Sequence, residues 1–578
     1  MNVKFHTASA IRPDHPPLVF SVPWPLTFKE NHPQCEIVWT TKRGPPRQRQ
    51  HHGSGFPDYT RGNDRMSEEH LIRWQDLLVI LLNLAAMVAI GIYCARKTRS
   101  ADSYFLADRS MPGWIVGFSM MATIISSMTF LALPGQTFQE DWRYIPGHVG
   151  YLIPALVGLL VFMPFFRNGQ IRSAYEYLEL RFGTWARIFG AVTFLLYHMF
   201  RVGIILYAVS LAFHQMSGIS MPYVICVVGV LVGAYTIAGG LQGVIYTDFL
   251  QGVALIIGGL ICTPIIANLL PGGWGQIFSE GYRDGKFSLG ETCFNLEDKT
   301  VWVLILVQQF EFLRLICTDQ SMVQRYLAIK TDKQARRGYL LGTFLIVPIW
   351  VYFAFIGTAL YVFYQHFPTT ALDGAKAEEV FPYFILTQIP PGVAGFIIAG
   401  MLAAAMSTLD SSINASAATI TTDFYRRFRR SITDERHILR VGRFISIVLA
   451  VIMIGVALYI NHARTKTLME LQTFVYPICT AGLLSLFLLG FFTVRVGSVA
   501  ALIATSSTVA LVAMWVFLTT EMGKQAFPDL ANSLPNPFWI GVFPHLFLLA
   551  IGYLLSYWHP HRSDQPLDNL TIWTKLDQ

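Results

Sequence analysis

From about residue 77 to residue 557 the chain keeps returning to uninterrupted apolar runs of 18 residues or more. A helix of that length measures about 27 Å, close to the roughly 30 Å of hydrocarbon in a bilayer. The fold class that follows is an all-α polytopic membrane protein. Composition agrees, with 53% hydrophobic and only 14% charged residues, against about 25% charged in soluble domains.

Thirteen spans are expected, at 74–95, 112–136, 147–166, 187–213, 220–238, 243–269, 301–318, 337–363, 390–418, 440–461, 468–491, 497–519 and 537–557. The loops between them alternate in charge. Arg96, Lys97, Arg99 and Arg109 follow the first span, and Arg167, Arg172 and Arg181 follow the third. Arg325, Lys330, Lys333, Arg336 and Arg337 follow the seventh, and FYRRFRR (424–430) follows the ninth. The intervening loops, such as QEDWRY (139–144), are poorer in Lys and Arg. Cytoplasmic loops carry the basic excess, which puts the N-terminus outside and the C-terminus, with the tail 558–578, in the cytoplasm.

Residues 1–65 differ from everything after them, with nine prolines and no apolar run of signal-peptide quality. They are expected to be disordered, or to precede a natural start at Met66. The seven cysteines (35, 94, 226, 262, 293, 317 and 479) show no CxxC or Cys/His spacing, so no disulfide framework or zinc site is expected. The net charge of +7 comes from short loops and from residues 1–65, and is no sign of nucleic-acid binding.

Polar residues inside the spans need a reason to be there. In the second span, GFSMMATIISSMTFLALPG (117–135), Ala122, Ile125, Ser126 and Thr129 share one helix face. Ala122 lies ten residues in from Pro112, about 15 Å along a helix and near the midplane. In the ninth span, AAAMSTLDSSINAS (403–416), Ala404, Ser407, Thr408 and Ser411 form a similar stripe. An isolated stripe of small residues serves close helix packing. Two such stripes accompanied by Asp410 and Asn414 favour a cavity instead, because an ionised Asp at mid-membrane costs about 2.5–3.5 kcal/mol. Hydroxyls, with carbonyls freed at a helix break, suit a dehydrated cation such as sodium.

Asp248, in GGLQGVIYTDFLQG (239–252), is either an interfacial carboxylate or part of such a site. Arg201 is fourteen residues from Arg187, about 21 Å along the fourth span and too deep to snorkel easily. It calls for an anion, either Glu311 of the seventh span or a solute. Arg314, one turn from Glu311, is a local partner for that carboxylate.

Four ordered segments resemble the sodium:solute symporter family: DSYFLADRSMPGW (102–114), GGLQGVIYTDFLQ (239–251), TDQSMVQRYLAIKT (318–331) and AAAMSTLDSSINA (403–415). The resemblance spans about residues 75–520. It implies a LeuT-like core of two inverted five-helix repeats over 112–491, with an accessory helix in 66–111 and two more in 492–557. It implies a sodium site made by the Ala122, Ile125 and Ala404 carbonyls with the Ser407 and Thr408 hydroxyls. Some members hold a second sodium at positions matched by Asp248, Ser407, Asp410 and Ser411, where Asp410 departs from an expected hydroxyl.

Sugar carriers of the family have Gln where this chain has Thr129 and Asn where it has Phe312; proline carriers have Asp at Ile124. Sialic-acid carriers hold the substrate carboxylate with an Arg and Ser/Thr matched here by Arg201, Ser126 and Thr129. The resemblance therefore implies a small, anionic organic solute as cargo, with a neutral sugar, polyol or amino acid as the alternative. A membrane sensor on the same fold is an alternative of another class. No catalytic cluster suggests an enzyme. No organic cofactor, nucleic acid or obligate protein partner is expected, and the partners are sodium, the solute and the bilayer.

Overall fold

The computed structural model describes residues 72–168, 173–293, 300–429, 434–463, 475–561 and 567–574. The expectation for residues 1–65, including a start at Met66, lies outside them. The described chain is helical throughout and contains no strand, only two isolated bridges.

Among the described residues, nine helices are long and apolar enough to cross a bilayer. They are α1 (Trp74–Lys97), α4 (Ile145–Arg167), α5 (Thr184–Ser217), α6 (Met221–Leu269), α7 (Val301–Thr318), α9 (Asp332–His366), α10 (Val393–Phe428), α11 (Glu435–His462) and α13 (Ser498–Thr519). A tenth is broken into α2 (Gly113–Ile124) and α3 (Met128–Gln139), bent by 58°. The short helix α8 (Gln320–Leu327) follows α7. Two expected spans, at 468–491 and 537–557, are represented by the shorter helices α12 (Leu483–Phe492) and α14 (Phe543–Leu555). Residues 464–474 lie outside the described residues; helical residues 475–479 follow and are divided from α12 by a turn ending at Gly482 (φ 76°), and a 3-10 turn at Pro537–Gly541 precedes α14.

The fifth and sixth expected spans run together as the 49-residue α6. At 1.5 Å per residue this is about 74 Å, more than twice the hydrocarbon thickness. Gly240 interrupts it with φ 58° and ψ −161°. That conformation favours glycine, and the backbone oxygen of Tyr104 would lie 2.8 Å from any Cβ there.

The break between α2 and α3 also has a local cause. Ile125 is extended (φ −78°, ψ 109°), and the hydroxyl of Ser126 accepts from the Met128 N–H at 3.2 Å. A serine that bonds its own neighbouring backbone competes with the helix ladder.

α10 is the most enclosed span, with 89% of its most apolar window buried, and it packs most extensively on α6. Its alanines and glycines permit this; at Gly400 the Ala254 carbonyl oxygen would lie 2.9 Å from an added Cβ. α1, by contrast, is only 22% buried and presents Leu77, Leu78, Leu81 and Leu82 outward. An outward face of this composition suits hydrocarbon. α1 is fastened to the bundle at one end. There the buried Asp76 carboxylate accepts from the Gly392 and Gly395 N–H groups at 2.7 and 2.8 Å, at the start of α10.

Candidate functional site

The end of α2 meets the middle of α10. The Ser407 hydroxyl donates to the Ala122 carbonyl at 2.8 Å and to the Ala404 carbonyl at 3.1 Å. Thr408 reaches the Thr123 carbonyl at 3.4 Å and the Ala404 carbonyl at 3.5 Å. The last carbonyls of a helix lack intrahelical partners, so a break at Ile125 leaves acceptors pointing at α10. These bonds link the Ala122, Ala404, Ser407 and Thr408 oxygens. Ile125 stands at the break itself, its N–H on the Met121 carbonyl at 2.9 Å. All five residues are buried.

Beyond the break is a cavity of about 140 Å³ whose lining includes Ser126, Thr129, Arg201, Glu311, Phe312 and Trp350. The Trp350 indole donates to the Thr129 hydroxyl at 3.3 Å, and its ring stacks on Phe312 with centroids 5.2 Å apart. Arg201 is 5% exposed. Its Nη2 donates to the Thr123 carbonyl at 3.0 Å, while Nη1 has no partner among the described residues. The sequence left Glu311 open as the partner of Arg201. In the structure Glu311 pairs with Arg314, Nη2 to Oε1 at 2.6 Å and Nε to Oε2 at 2.9 Å. Arg201 therefore brings an unfilled donor to the cavity, and a carboxylate suits it, since charge-assisted bonds to guanidinium are roughly twice as strong as neutral ones.

The Thr123 carbonyl ties the two regions together. It accepts from Arg201 on the cavity side and lies within reach of Thr408 on the α10 side.

Asp248, Asp410 and Ser411 form a third group, completely enclosed. Asp248 Oδ2 accepts from Ser119 at 2.5 Å and pairs with Arg325 Nη2 at 2.9 Å. The same Nη2 contacts the Ser411 hydroxyl. Asp410 Oδ2 accepts from the Tyr235 hydroxyl at 2.9 Å, and Oδ1 from Ser411 at 3.3 Å. Asp248 Oδ1 has no partner among the described residues. Arg325 is a correction to the sequence reading, which placed it among the cytoplasmic loop charges. It is 0% exposed on α8. The signal was present: in QSMVQRYL the arginine sits among Met322, Val323, Tyr326 and Leu327, an apolar setting for a solvated charge. Ser119, Thr123 and Tyr235 were likewise not singled out.

At the basic end of α10, Glu179 on the short helix Ala174–Phe182 accepts from Arg187 at 2.6 Å and Arg427 at 2.7 Å. Arg187 also pairs with Asp423 at 2.7 Å. Burial alone would raise the Glu179 pKa, but the two guanidiniums outweigh it and bring the carboxyl down to about 2. FYRRFRR thus begins inside α10, where Arg427 makes an ion pair rather than extending freely into a loop.

The model of the sodium:solute symporter family matches residues 104–508. A sodium/sialic acid symporter of Aliivibrio fischeri is 31% identical over 482 residues, covering 83% of this chain and 92% of the relative. One from Proteus mirabilis is 32% identical over 423 residues, 73% of this chain and 85% of the relative. A solved structure of a Na+-coupled sialic acid symporter, described as a substrate-bound outward-open state, superposes with a TM-score of 0.78 at 29% identity. It covers 85% of this chain and 99% of that one.

Proposed function

Since this chain belongs to the sodium:solute symporter family, we propose that it couples sodium influx to the import of a small organic acid, sialic acid or another sugar or monocarboxylic acid. It is a carrier and not an enzyme, and sodium is its coupling ion rather than a resident cofactor. The contact that carries this reading is Ser407 on the Ala122 carbonyl at 2.8 Å, one residue before the carbonyl that holds Arg201.

Sodium is assigned to the carbonyls of Ala122, Ile125 and Ala404 and the hydroxyls of Ser407 and Thr408, which replace its water. The substrate carboxylate is assigned to Nη1 of Arg201, which has no partner among the described residues, with Ser126 and Thr129 as further polar contacts. Asp248, Asp410 and Ser411 are assigned to a second cation position, or to the inward path of the first ion. Arg325 pairs with Asp248 there, Ser411 contacts both Arg325 and Asp410, and Asp248 Oδ1 has no partner among the described residues.

Thirteen spans follow if α6 is divided at Gly240 and α12 and α14 each belong to a span. Spans two to eleven, over 112–491, then make two inverted repeats of five, with accessory helices in 66–111 and 492–557. The N-terminus lies outside and the tail in the cytoplasm. In the transport cycle, sodium joins α2 to α10 and favours the outward-open arrangement. Substrate on Arg201 closes the outer side, and sodium leaves inward past Asp248. Each sodium gains about 2.3 kcal/mol per 100 mV of membrane potential, and it drives the cycle only by binding the two arrangements unequally.

The test is a thermal-shift screen of purified protein against sialic acid, other sugar acids, short monocarboxylates, neutral sugars and amino acids, each with sodium and with potassium. Stabilisation by an acid, in sodium only, is expected. Neutral sugars outperforming every acid would overturn the assignment of Arg201.

A further inference from the structure

Two guanidiniums flank the ring of Tyr197, with Arg201 5.9 Å and Arg314 3.9 Å from its centroid. Only one of them is offered to the cavity. Arg314 is 1% exposed, and its Nε and Nη2 are both occupied by Glu311. Its remaining nitrogen, Nη1, lies 3.5 Å from Asp319 Oδ2. Glu311 is 25% exposed and lines the cavity, whereas Arg314 does not. A solute in the cavity therefore meets a carboxylate where, without Glu311, it would meet a second two-pronged cation.

We propose that Glu311 determines how much negative charge the substrate carries, by occupying Arg314 and so restricting the cavity to one carboxylate. This rests on the reading of Arg201 as the substrate's anion ligand, and adds a residue that selects against dianions. Two effects act in the same direction. Glu311 repels a second carboxylate, since like charges placed side by side disfavour the wrong partner. It also satisfies the planar fork of Arg314, whose two parallel bonds would otherwise match a substrate carboxylate. The i, i+3 spacing on α7 holds the pair together through one turn of helix, so the arrangement is built into a single element.

The experiment compares a monoacid and a diacid of matched length, gluconate against glucarate and butyrate against succinate. Affinities are measured by thermal shift or calorimetry on purified protein in sodium. Wild type is expected to prefer the monoacid of a pair. Glu311→Gln should raise diacid affinity relative to monoacid by about tenfold or more, the scale of one hydrogen-bonded charge pair. Adding Arg314→Gln should abolish that gain. Glu311→Asp keeps the countercharge but draws the whole carboxylate back by a methylene, loosening both bonds to Arg314. It carries the test if Glu311→Gln does not fold, and should shift the ratio in the same direction by at least about threefold. A folded Glu311→Gln with the wild-type ratio, or an unshifted Glu311→Asp where Glu311→Gln is lost, overturns the proposal while leaving Arg201 in place. Wild type that binds neither acid of either pair, but binds a neutral solute, fails at the earlier step and overturns both.

Discussion

Ser407 and Ala122 are 285 positions apart in the chain, yet the hydroxyl of one lies 2.8 Å from the carbonyl of the other. The contact depends on a helix that stops at Ile125 and a second helix rich enough in alanine to lie close to it. It brings together oxygens from helices with no sequence proximity, near the depth where the sequence places the middle of the bilayer.

Removing those hydroxyls tests the ion assignment. Ser407→Ala with Thr408→Ala should abolish sodium-dependent uptake and the sodium-induced rise in melting temperature, while the protein still inserts and purifies. Each single change should weaken sodium about tenfold, a typical loss for one hydrogen-bonding group on a charge. Sodium stabilisation that survives intact in the double variant would refute the site.

Arg201→Met should weaken the transported acid by about ten- to a hundredfold, the range for losing a charge-assisted pair. Sodium-induced stabilisation should persist, because Arg201 touches the ion region only through the Thr123 carbonyl. Calorimetry of acid binding, alongside a sodium titration of the same sample, separates the two. Equal acid affinity in variant and wild type would remove Arg201 from the substrate site.

Asp248 and Arg325 form a buried pair at 2.9 Å, both side chains fully enclosed. Asp248→Ala should destabilise by about 3–5 kcal/mol, because the guanidinium is left without a countercharge. Asp248→Asn combined with Arg325→Gln should lose less than the sum of its single changes. A cycle of melting temperatures in detergent measures this, and strict additivity would show the two charges to be energetically independent.

The Glu179 cluster predicts a pH dependence. Its carboxyl is held at about 2, below the ordinary value of 4.5, so the folded state favours the ionised form. The stabilisation is complete above pH 4.5 and is lost as pH falls from there towards about 2. The melting-temperature gap between wild type and Glu179→Gln should be widest near neutrality and close over that acidic interval. A gap independent of pH would show that Glu179 acts through packing and not charge.

Much of this was legible in the sequence, for identifiable reasons. The stripe at Ala404–Ser411 follows from helical periodicity, whereas the single face expected for Ala122–Thr129 is divided by the break at Ile125, which sets Ala122 against α10 and Ser126 and Thr129 on the cavity. Glu311 and Arg314 pair as their spacing of three suggests. Arg325 was missed because loop-charge counting treats a basic residue by its neighbours in sequence, whereas its partner Asp248 lies 77 positions away. The turn at Gly482 that divides helical residues 475–479 from α12, and the 3-10 turn at Pro537 before α14, were missed because hydropathy registers apolar character and not backbone conformation. The fifth and sixth expected spans meet at Gly240, where the chain turns too tightly to leave a polar loop.

The division of α2 from α3 assigns different duties to the two halves of one span. The upstream half ends in carbonyls aimed at α10, while the downstream half opens with Ser126 and Thr129 on the cavity. Under the proposed assignment, a lineage built on this plan is free to exchange passengers by altering downstream side chains while an ion site made partly of main-chain oxygen stays unaltered. Diversification of cargo on a constant power source is then a property of where the polypeptide bends.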